Sequence, residues 1–242
     1  MTKDVPLPPL ALLSGGLATR LRPLTEKIPK AMLEVAGEPF IAHQLRHAAR
    51  EGIDKVVLCV GYLAEPIEAF VGDGAAFGVS VLFSQEPPQL LGTGGALRNA
   101  LPLLGDEFLV QYGDSYLDIS YASVMRAFRQ SGRQGLMTVF RNDGRWDTSN
   151  VEFAGGTIRN YDKIDRTTNM AFIDYGLGAF KSAVLRRWPA GERIDLADIY
   201  RRLLSEGELA GYEVHQRFYE IGSAEGLAET DRYLRTKPGG SH

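Results

Sequence analysis

The chain has 242 residues, of which 44% are hydrophobic and 24% charged, and its net charge is −3. These values are typical of a soluble globular protein, and the slight acidity argues against a general binder of nucleic acid or membrane surfaces. The start MTKDVPLPP lacks the apolar segment of a signal peptide, and no apolar run approaches membrane-spanning length. We therefore expect a cytoplasmic protein with neither a nucleic-acid nor a membrane partner.

The first half of the chain alternates short apolar runs with segments of helical periodicity. The apolar runs predict strands at LALLS, KVVLCVG, VSVLFSQ, EFLVQYGDS and GLMTVFR. Helices are predicted between them, at EPFIAHQLRHAAREG, AEPIEAFVGDG, GTGGALRNALPLL and YASVMRAFRQSG. This alternation predicts βαβ units, and continuous apolar strands indicate a sheet that is covered on both faces. The only cysteine, Cys59, lies in one of these strands, where we expect a buried thiol.

The second half changes character after about residue 141. SNVEFAGGTIRNYDK predicts a hairpin, and MAFIDYGLGAF, LAGYEVHQ and RFYEIG predict further strands. Helices are predicted at SAVLRRW, at LADIYRRLLSEG with Asp195 as its cap, and at SAEGLAETDRYLRT with Ser223 as its cap. The sequence therefore predicts one α/β domain, a Rossmann-like, doubly wound fold with a mostly parallel mixed sheet.

A glycine-rich turn, SGGLATR, follows the first predicted strand. In an open parallel sheet, ligands bind beyond the carboxyl ends of the strands, and glycines let backbone N–H groups approach phosphate oxygens. The spacing fits neither a Walker loop nor a dinucleotide fingerprint. Arg20 and Lys30 place positive charge beside the turn, which favours a small anionic ligand. A flexible turn with solvated basic side chains is the alternative.

The stretch SGGLATRLRPLTEKIPKAML resembles the signature G-G-x-G-T-R-L-x-P-L-T-x-x-x-P-K of the sugar-1-phosphate nucleotidyltransferases. It matches at Gly15, Gly16, Thr19, Arg20, Leu21, Pro23, Leu24, Thr25, Pro29 and Lys30. Ala18 departs from the pattern, because the family has a third glycine there. The resemblance extends from about residue 10 to about residue 234 and is strongest to the short, single-domain branch, with its heptose and mannose 1-phosphate guanylyltransferases.

The resemblance implies a nucleotide site in the first half of the chain. LLGTGGALRNAL is similar to the family segment L-G-T-A-G-A-L, where glycines clear space for a flat base and helix N-terminal amides reach polar ligand atoms. Glu86 is a further candidate for contact with the base edge. The implied nucleotide-binding residues are Ser14, Gly15, Gly16, Thr19, Gln85, Gly92, Thr93 and Gly94.

The resemblance also implies a metal site and a sugar site. Asp114, in YGDS, and Glu220, in YEIGSAEGLAET, occupy the positions of the two acids that hold Mg²⁺ in the family. Lys163, in NYDKIDR, stands where a family lysine lies beside the sugar phosphate, although a surface lysine is equally compatible with the spacing. The implied sugar-binding residues are Asp114, Asp162, Asp174 and Gly176.

The resemblance implies that an NTP and a sugar 1-phosphate react to give an NDP-sugar and pyrophosphate, with Mg²⁺ as cofactor, in the activation of sugars for cell-envelope polysaccharides. Arg20, Lys30 and Lys163 would be the catalytic residues. Residues 1–242 would form one domain, with a nucleotide-binding half at about 10–140, a sugar-binding half at about 141–234 and a frayed tail at 235–242. The sequence is also compatible with a homodimer.

Two alternatives belong to other classes. A cytidylyltransferase acting on phosphocholine or another non-sugar phosphate could use the same loop, and a choline site could have an aromatic cage formed by Trp146 with Tyr161 or Tyr175. A catalytically inactive subunit that senses nucleotide sugars is the second alternative. The presence of Arg20, Lys30 and Asp114 disfavours it, because an inactive relative is expected to lose them.

Overall fold

The computed structural model describes residues 6–16, 21 and 23–237. Within them, nine strands form one mixed sheet and four form two small ribbons. The strands of the main sheet are β1 (Leu10–Leu13), β4 (Lys55–Val60), β5 (Ser80–Gln85), β6 (Glu107–Tyr112), β8 (Gly135–Arg141), β9 (Val151–Ala154), β10 (Thr157–Tyr161), β11 (Phe172–Lys181) and β12 (Leu209–Val214). The ribbons are β2 (Glu34–Val35) with β3 (Glu38–Pro39), and β7 (Ser115–Tyr116) with β13 (Tyr219–Glu220).

The main sheet joins the two halves of the chain. Its path runs β10-β9-β11-β6-β1-β4-β5, and β8 pairs with both β11 and β12. The pairs β6–β1, β1–β4, β4–β5 and β8–β12 are parallel. The long strand β11 runs antiparallel to β6 and β8, and the hairpin β9–β10 is antiparallel as predicted. The predicted mixed, mostly parallel sheet is thus confirmed.

The described chain contains seven α-helices, and six of them cover the two faces of this sheet. They are α1 (Phe40–Arg50), α2 (Ala64–Val71), α3 (Gly92–Leu104), α4 (Tyr121–Ser131), α5 (Ser182–Arg186), α6 (Leu196–Ser205) and α7 (Ala224–Arg235). Helices α1, α2 and α4 contribute to the core on one face, and α3, α5 and α6 contribute to the core on the other. Successive residues of β1 point to opposite faces, so Leu10 and Leu12 belong to the first core and Ala11 to the second. The doubly wound arrangement is confirmed.

Helix α7 packs in a third, smaller core that includes Val35, Phe40 and Ile221. Both predicted helix caps are present, since the Asp195 side chain accepts from the Ala197 amide and the Ser223 side chain from the Gly226 amide. In the tail predicted to fray from residue 235, the Lys237 ammonium pairs with Asp118; the fraying itself stays a prediction. Among the residues described, no helix combines the length and apolar character needed to cross a membrane.

Candidate active site

A cavity of about 230 Å³ opens where strands β1, β4 and β6 end and helix α3 begins. This is the carboxyl edge of the parallel strands, where the sequence places the ligand. Its walls come from the glycine-rich turn, the segments after β5 and β6, and the first turn of α3. The lining residues are Leu13, Ser14, Gly15, Gly16, Lys30, Ala31, Cys59, Glu86, Leu90, Gly92, Thr93, Ala96, Tyr112, Gly113 and Asp114.

The glycine-rich turn begins directly at the end of β1. The Ser14 amide donates to the Cys59 carbonyl at 2.8 Å, which continues the β1–β4 pairing into the turn. The Ser14 hydroxyl is buried and has no hydrogen-bond partner among the described residues. Gly15 lies so close to Glu86 that a Cβ there would be 2.6 Å from Oε1, whereas Gly16 is exposed. The turn therefore contains one buried, unpaired hydroxyl at Ser14, a crowded position at Gly15 and an open position at Gly16.

Thr19 and Arg20 lie outside the described residues, so their assigned roles stay predictions. The same holds for Ala18, the position at which the chain departs from the family signature.

Lys30 and Asp114 form an ion pair on the cavity wall. The distance between Lys30 Nζ and Asp114 Oδ2 is 3.0 Å, and the side chains are 17% and 31% exposed. Lys30 begins a short 3-10 turn that is anchored by buried Ala31, and Asp114 follows β6 after Gly113. The other Asp114 oxygen, Oδ1, accepts a hydrogen bond from the Ser115 hydroxyl at 3.3 Å. The structure thus brings together two predicted site residues that are 84 positions apart.

Helix α3 contributes its first turn to the cavity, but its glycines differ in their surroundings. Gly92 and Thr93 line the cavity. Gly94 does not line the cavity. It packs against the segment that leads into α6, where a Cβ on Gly94 would lie 2.9 Å from Ile194 Cγ2 and 3.0 Å from Ile199 Cδ1. Glycine is therefore needed at position 94 because Ile194 and Ile199 leave no room for a side chain, which is a different reason from the predicted clearance for a base. Its assignment to the nucleotide site stays a prediction.

Glu86, rather than Gln85, lies on the cavity wall. Its Oε2 accepts from the Leu91 amide at 2.9 Å, and burial raises the pKa of its carboxyl. Gln85 is exposed at the end of β5, where its carbonyl accepts from Asn99 Nδ2 at 3.0 Å. The sequence predicts both as candidates for the base edge; Glu86 lines the cavity and Gln85 does not, and contact of either with a base stays a prediction.

Lys163 approaches the cavity from the second half of the chain. Its ammonium lies 3.6 Å from Asp195 Oδ1 and 5.8 Å from the centre of the Tyr112 ring. Asp195 Oδ1 also accepts from the Thr93 hydroxyl at 3.4 Å, and both Thr93 and Tyr112 line the cavity. The sequence analysis names Asp195 only as a helix cap and does not name Tyr112. Tyr112 could have been found from its position at the end of β6, directly before Gly113 and Asp114.

Asp174 lies beside the same tyrosine. Its Oδ2 accepts from the Tyr112 hydroxyl at 3.4 Å and its Oδ1 from the Gly176 amide at 3.1 Å. Burial raises the pKa of the Asp174 carboxyl, and the positive charge of Lys163 opposes that shift. Gly176 has a φ of +101°, and a Cβ there would lie 3.3 Å from the Tyr112 ring, so glycine is required.

Asp162 does not line the cavity. Its Oδ1 accepts from the amides of Ile164 and Asp165, and its Oδ2 accepts from Arg201 at 3.3 Å. These contacts organise its own loop and connect it to α6. Its predicted contact with the sugar stays a prediction.

Glu220 is close to Asp114 through the backbone, since the Ile221 amide donates to the Asp114 carbonyl at 2.9 Å. Its carboxylate, however, accepts from the Gly222 amide at 2.5 Å and the Ser223 hydroxyl at 3.2 Å, at the start of α7. Glu220 does not line the cavity. The described residues contain no group of three or more His, Cys, Asp or Glu side chains that could hold a metal ion.

The donor set around Asp114 fits Mg²⁺ bound together with a substrate. Mg²⁺ commonly takes one or two carboxylates and completes its shell with phosphate oxygens and water. Asp114 supplies one carboxylate on the cavity wall, next to a glycine-rich turn suited to phosphate. Glu220 would have to leave the amide of Gly222 to supply a second.

A sequence model of the nucleotidyl transferase family matches residues 11–236. The chain therefore belongs to that family.

Among curated relatives, it is 31% identical over 248 aligned positions to the mannose-1-phosphate guanylyltransferase of Mycobacterium tuberculosis (strain ATCC 25618 / H37Rv), covering 94% of this chain and 66% of the relative. It is 40% identical over 116 residues to the N-acetylmuramate alpha-1-phosphate uridylyltransferase of Neisseria meningitidis serogroup B, covering 48% of this chain and 50% of the relative. The chain spans one half to two thirds of the length of these relatives.

Two solved structures have the same fold. The inositol-1-phosphate CTP transferase from T. maritima superposes with a TM-score of 0.79 at 18% identity, covering 98% of this chain and 99% of that one. HddC from Yersinia pseudotuberculosis gives a TM-score of 0.79 at 20% identity, covering 94% and 100%.

Proposed function

We propose that the chain catalyses the reaction of an NTP with a sugar 1-phosphate to give an NDP-sugar and pyrophosphate, with Mg²⁺ as cofactor. The observation that carries the proposal is the cavity itself, where the Lys30–Asp114 pair and the glycine-rich turn meet at the carboxyl ends of β1 and β6. Family membership supports the reaction class, and the names of the relatives support a sugar phosphate as acceptor.

The reaction needs no nucleophile from the protein. An oxygen of the sugar phosphate attacks the α-phosphorus of the NTP, the bond from that phosphorus to the β-phosphate oxygen breaks, and pyrophosphate leaves with the electron pair. Both reactants are anions, so the protein must align them and offset their charge. Cys59 lines the cavity but is 1% exposed, and burial raises the pKa of its thiol to about 12, which argues against a reactive thiolate there.

The residues divide these tasks by position. Backbone amides of Gly15 and Gly16 would bind phosphate oxygens, because neither residue carries a side chain of its own that would keep a phosphate away. Lys30 would offset charge on the nucleotide phosphates, and Lys163, near Tyr112, would offset charge on the incoming sugar phosphate. Asp174, beside Lys163, would accept hydrogen bonds from sugar hydroxyls. Asp114 would hold Mg²⁺, which when bound supplies further charge stabilisation to the phosphates.

The structure argues against the phosphocholine alternative. A cage for a quaternary ammonium needs open aromatic faces. Tyr161 and Tyr175 are 1% and 2% exposed, and the Arg217 guanidinium lies 3.4 Å from the centre of the Trp146 ring. These three rings are therefore not open to a quaternary ammonium.

The proposed reaction consumes NTPs, and we place it in the cytoplasm, which contains them. The relative that acts on N-acetylmuramate alpha-1-phosphate supports a role in the activation of sugars for the cell envelope.

The test is a screen for pyrophosphate release in the presence of Mg²⁺. Each of the four NTPs, GTP and UTP first, is paired with a panel of sugar 1-phosphates and with phosphocholine. We expect release with at least one sugar 1-phosphate, and a loss of at least about 100-fold in Asp114→Asn and Lys30→Met. Release only with phosphocholine would establish the alternative. Tight binding of NDP-sugars without release from any pair would indicate the sensing subunit.

A further inference from the structure

We propose that Lys30 is the counter-ion of Asp114 in the free protein and that it changes partners when the divalent cation and the NTP bind. In this account Lys30 leaves the carboxylate when a divalent cation binds there and moves to the nucleotide phosphates. The inference rests on the proposed function, but it concerns the free protein, in which nothing in the family resemblance places the lysine on the metal carboxylate.

The first argument is that the two side chains have each other as their charged partner. Lys30 Nζ is 3.0 Å from Asp114 Oδ2, and neither side chain makes another ion pair among the described residues. The remaining Asp114 oxygen accepts a weaker, 3.3 Å bond from Ser115. Both oxygens of the carboxylate are therefore engaged before any metal arrives.

The second argument is positional. The pair is partly buried, with side chains 17% and 31% exposed, and it lies on the wall of the cavity rather than on the outer surface. Lys30 is held on a 3-10 turn whose next residue, Ala31, is buried, so its backbone is fixed while its long side chain can reorient. Partial desolvation makes this ion pair stronger than one on an open surface.

The third argument is charge balance. A divalent cation on Asp114 would compete with Lys30 for the same oxygen and would repel its ammonium. The NTP that enters the same cavity brings several negative charges, which give the released ammonium a new partner. The exchange therefore keeps every charge in the cavity compensated, and it places Lys30 on the nucleotide only after Asp114 has become a metal ligand.

The test measures Mn²⁺ affinity without nucleotide, by electron paramagnetic resonance, for the wild type and Lys30→Met. Because Lys30 competes for the carboxylate, we expect the variant to bind Mn²⁺ roughly fivefold more tightly. Lys27→Met is the matched control, since Lys27 belongs to the same segment but is exposed and makes no ion pair with a described residue, and its affinity should match the wild type. Equal or weaker Mn²⁺ binding by Lys30→Met would overturn the proposal.

A second readout follows Lys30 itself in the otherwise unaltered chain. Reductive ¹³C-methylation keeps the lysine charge and gives each lysine an NMR signal, and the Lys30 signal is assigned by its loss in Lys30→Met. We expect the Lys30 signal to shift when Mg²⁺ is added and the Lys27 signal to stay. In Asp114→Asn the Lys30 signal should start displaced and no longer respond. A Lys30 signal that ignores saturating Mg²⁺ would overturn the proposal.

The two proposals fail in different ways. If the wild type releases pyrophosphate but Lys30→Met gains no Mn²⁺ affinity, only the exchange is wrong. If the affinity and NMR shifts appear but no substrate pair reacts, only the proposed function is wrong.

Discussion

The carbonyl oxygen of Ile194 accepts a hydrogen bond from the Gly94 amide at 2.8 Å. The Gly95 amide also donates to this oxygen, at 3.1 Å, and the Ile194 amide donates to the Leu91 carbonyl at 2.8 Å. Amides at the start of a helix normally lack partners within the helix. Here the second half of the chain satisfies two of them, so, within the part of the chain that the structure describes, the amides left for a ligand are those of Gly92 and Thr93.

This contact predicts that Gly94→Ala destabilises the protein. A Cβ at position 94 would lie 2.9 Å from Ile194 Cγ2, 3.0 Å from Ile199 Cδ1 and 3.1 Å from the Asp195 carbonyl carbon. Overpacking of this kind costs about 1–3 kcal/mol, which exceeds the gain of about 1 kcal/mol that alanine brings to a helix. We expect a lower free energy of unfolding by roughly 1–2 kcal/mol, measured by urea denaturation.

Gly16→Ala serves as the control for this prediction. No described atom lies within 4 Å of a Cβ at position 16. Its free energy of unfolding should stay within about 0.5 kcal/mol of the wild type. A Gly94→Ala protein as stable as Gly16→Ala would show that the two halves do not pack as described.

Glu86 provides a prediction on the pH dependence of stability. Burial raises the pKa of its carboxyl, so the folded state holds the proton more tightly than the unfolded state does. Stability is therefore lost as the pH rises from the unfolded pKa through the folded one. Glu86→Gln removes this loss, and we expect its Tm to exceed that of the wild type at pH 7.5 but to match it near pH 4.

The exposed Glu65 on α2 allows a matched substitution. Glu65→Gln should show no such divergence between the two pH values. If Glu86→Gln lowers the Tm at pH 7.5, the ionised carboxylate stabilises the fold, and the conclusion that burial destabilises the charged form of Glu86 is wrong.

Lys163 is predicted to act on the sugar phosphate rather than on the nucleotide. Its ammonium lies beside Tyr112 and Asp195, and 3.6 Å separates it from Asp195 Oδ1. We expect Lys163→Met to lower kcat by about 100-fold, because one preorganised charge is lost where charge develops. Steady-state kinetics should also show a raised KM for the sugar 1-phosphate with little change for the NTP.

Lys55→Met is the comparison, because Lys55 begins β4 at the opposite end of the strand from the cavity. Its kinetic constants should equal those of the wild type. A Lys163→Met enzyme with a kcat within twofold of the wild type would assign Lys163 to the surface, as the spacing of the sequence alone allows.

Cys59 predicts slow chemical labelling of the folded protein. The thiol is 1% exposed and burial raises its pKa to about 12, so the reactive thiolate is scarce at pH 8. Since the chain has one cysteine, reaction with a chromogenic disulfide reports on this site alone. We expect labelling only as fast as the protein opens, and rapid stoichiometric labelling in 8 M urea. Fast labelling under native conditions would contradict the buried position.

The sequence predicts those features that local chemistry decides. Apolar runs of strand length predict the strands of the main sheet. Asp195 and Ser223 are predictable as helix caps, because an N-cap depends on the residue and its immediate neighbours. Asp114 was placed at a strand end, and the carboxyl ends of parallel strands lie at one edge, so its place in the cavity follows.

Features that depend on distant partners could not be predicted in this way. In the sequence, Gly94 is predicted to leave space for a ligand. In the structure, Ile194, one hundred positions later, occupies that space. Glu220 matches a metal-ligand position, yet its carboxylate is held by the start of its own helix α7. The side chain of Asp162 is held by Arg201. In each case the motif fixes the residue type, and the packing of other elements decides where the side chain points.

The most direct test of the account is a ³¹P NMR time course of the wild type with Mg²⁺, an NTP and a sugar 1-phosphate. The account predicts that both substrates disappear at equal rates, that NDP-sugar and pyrophosphate appear in equal amounts, and that omitting either substrate stops all conversion. Release of phosphate or pyrophosphate from the NTP alone, or no conversion with any pair of the screen, would contradict it.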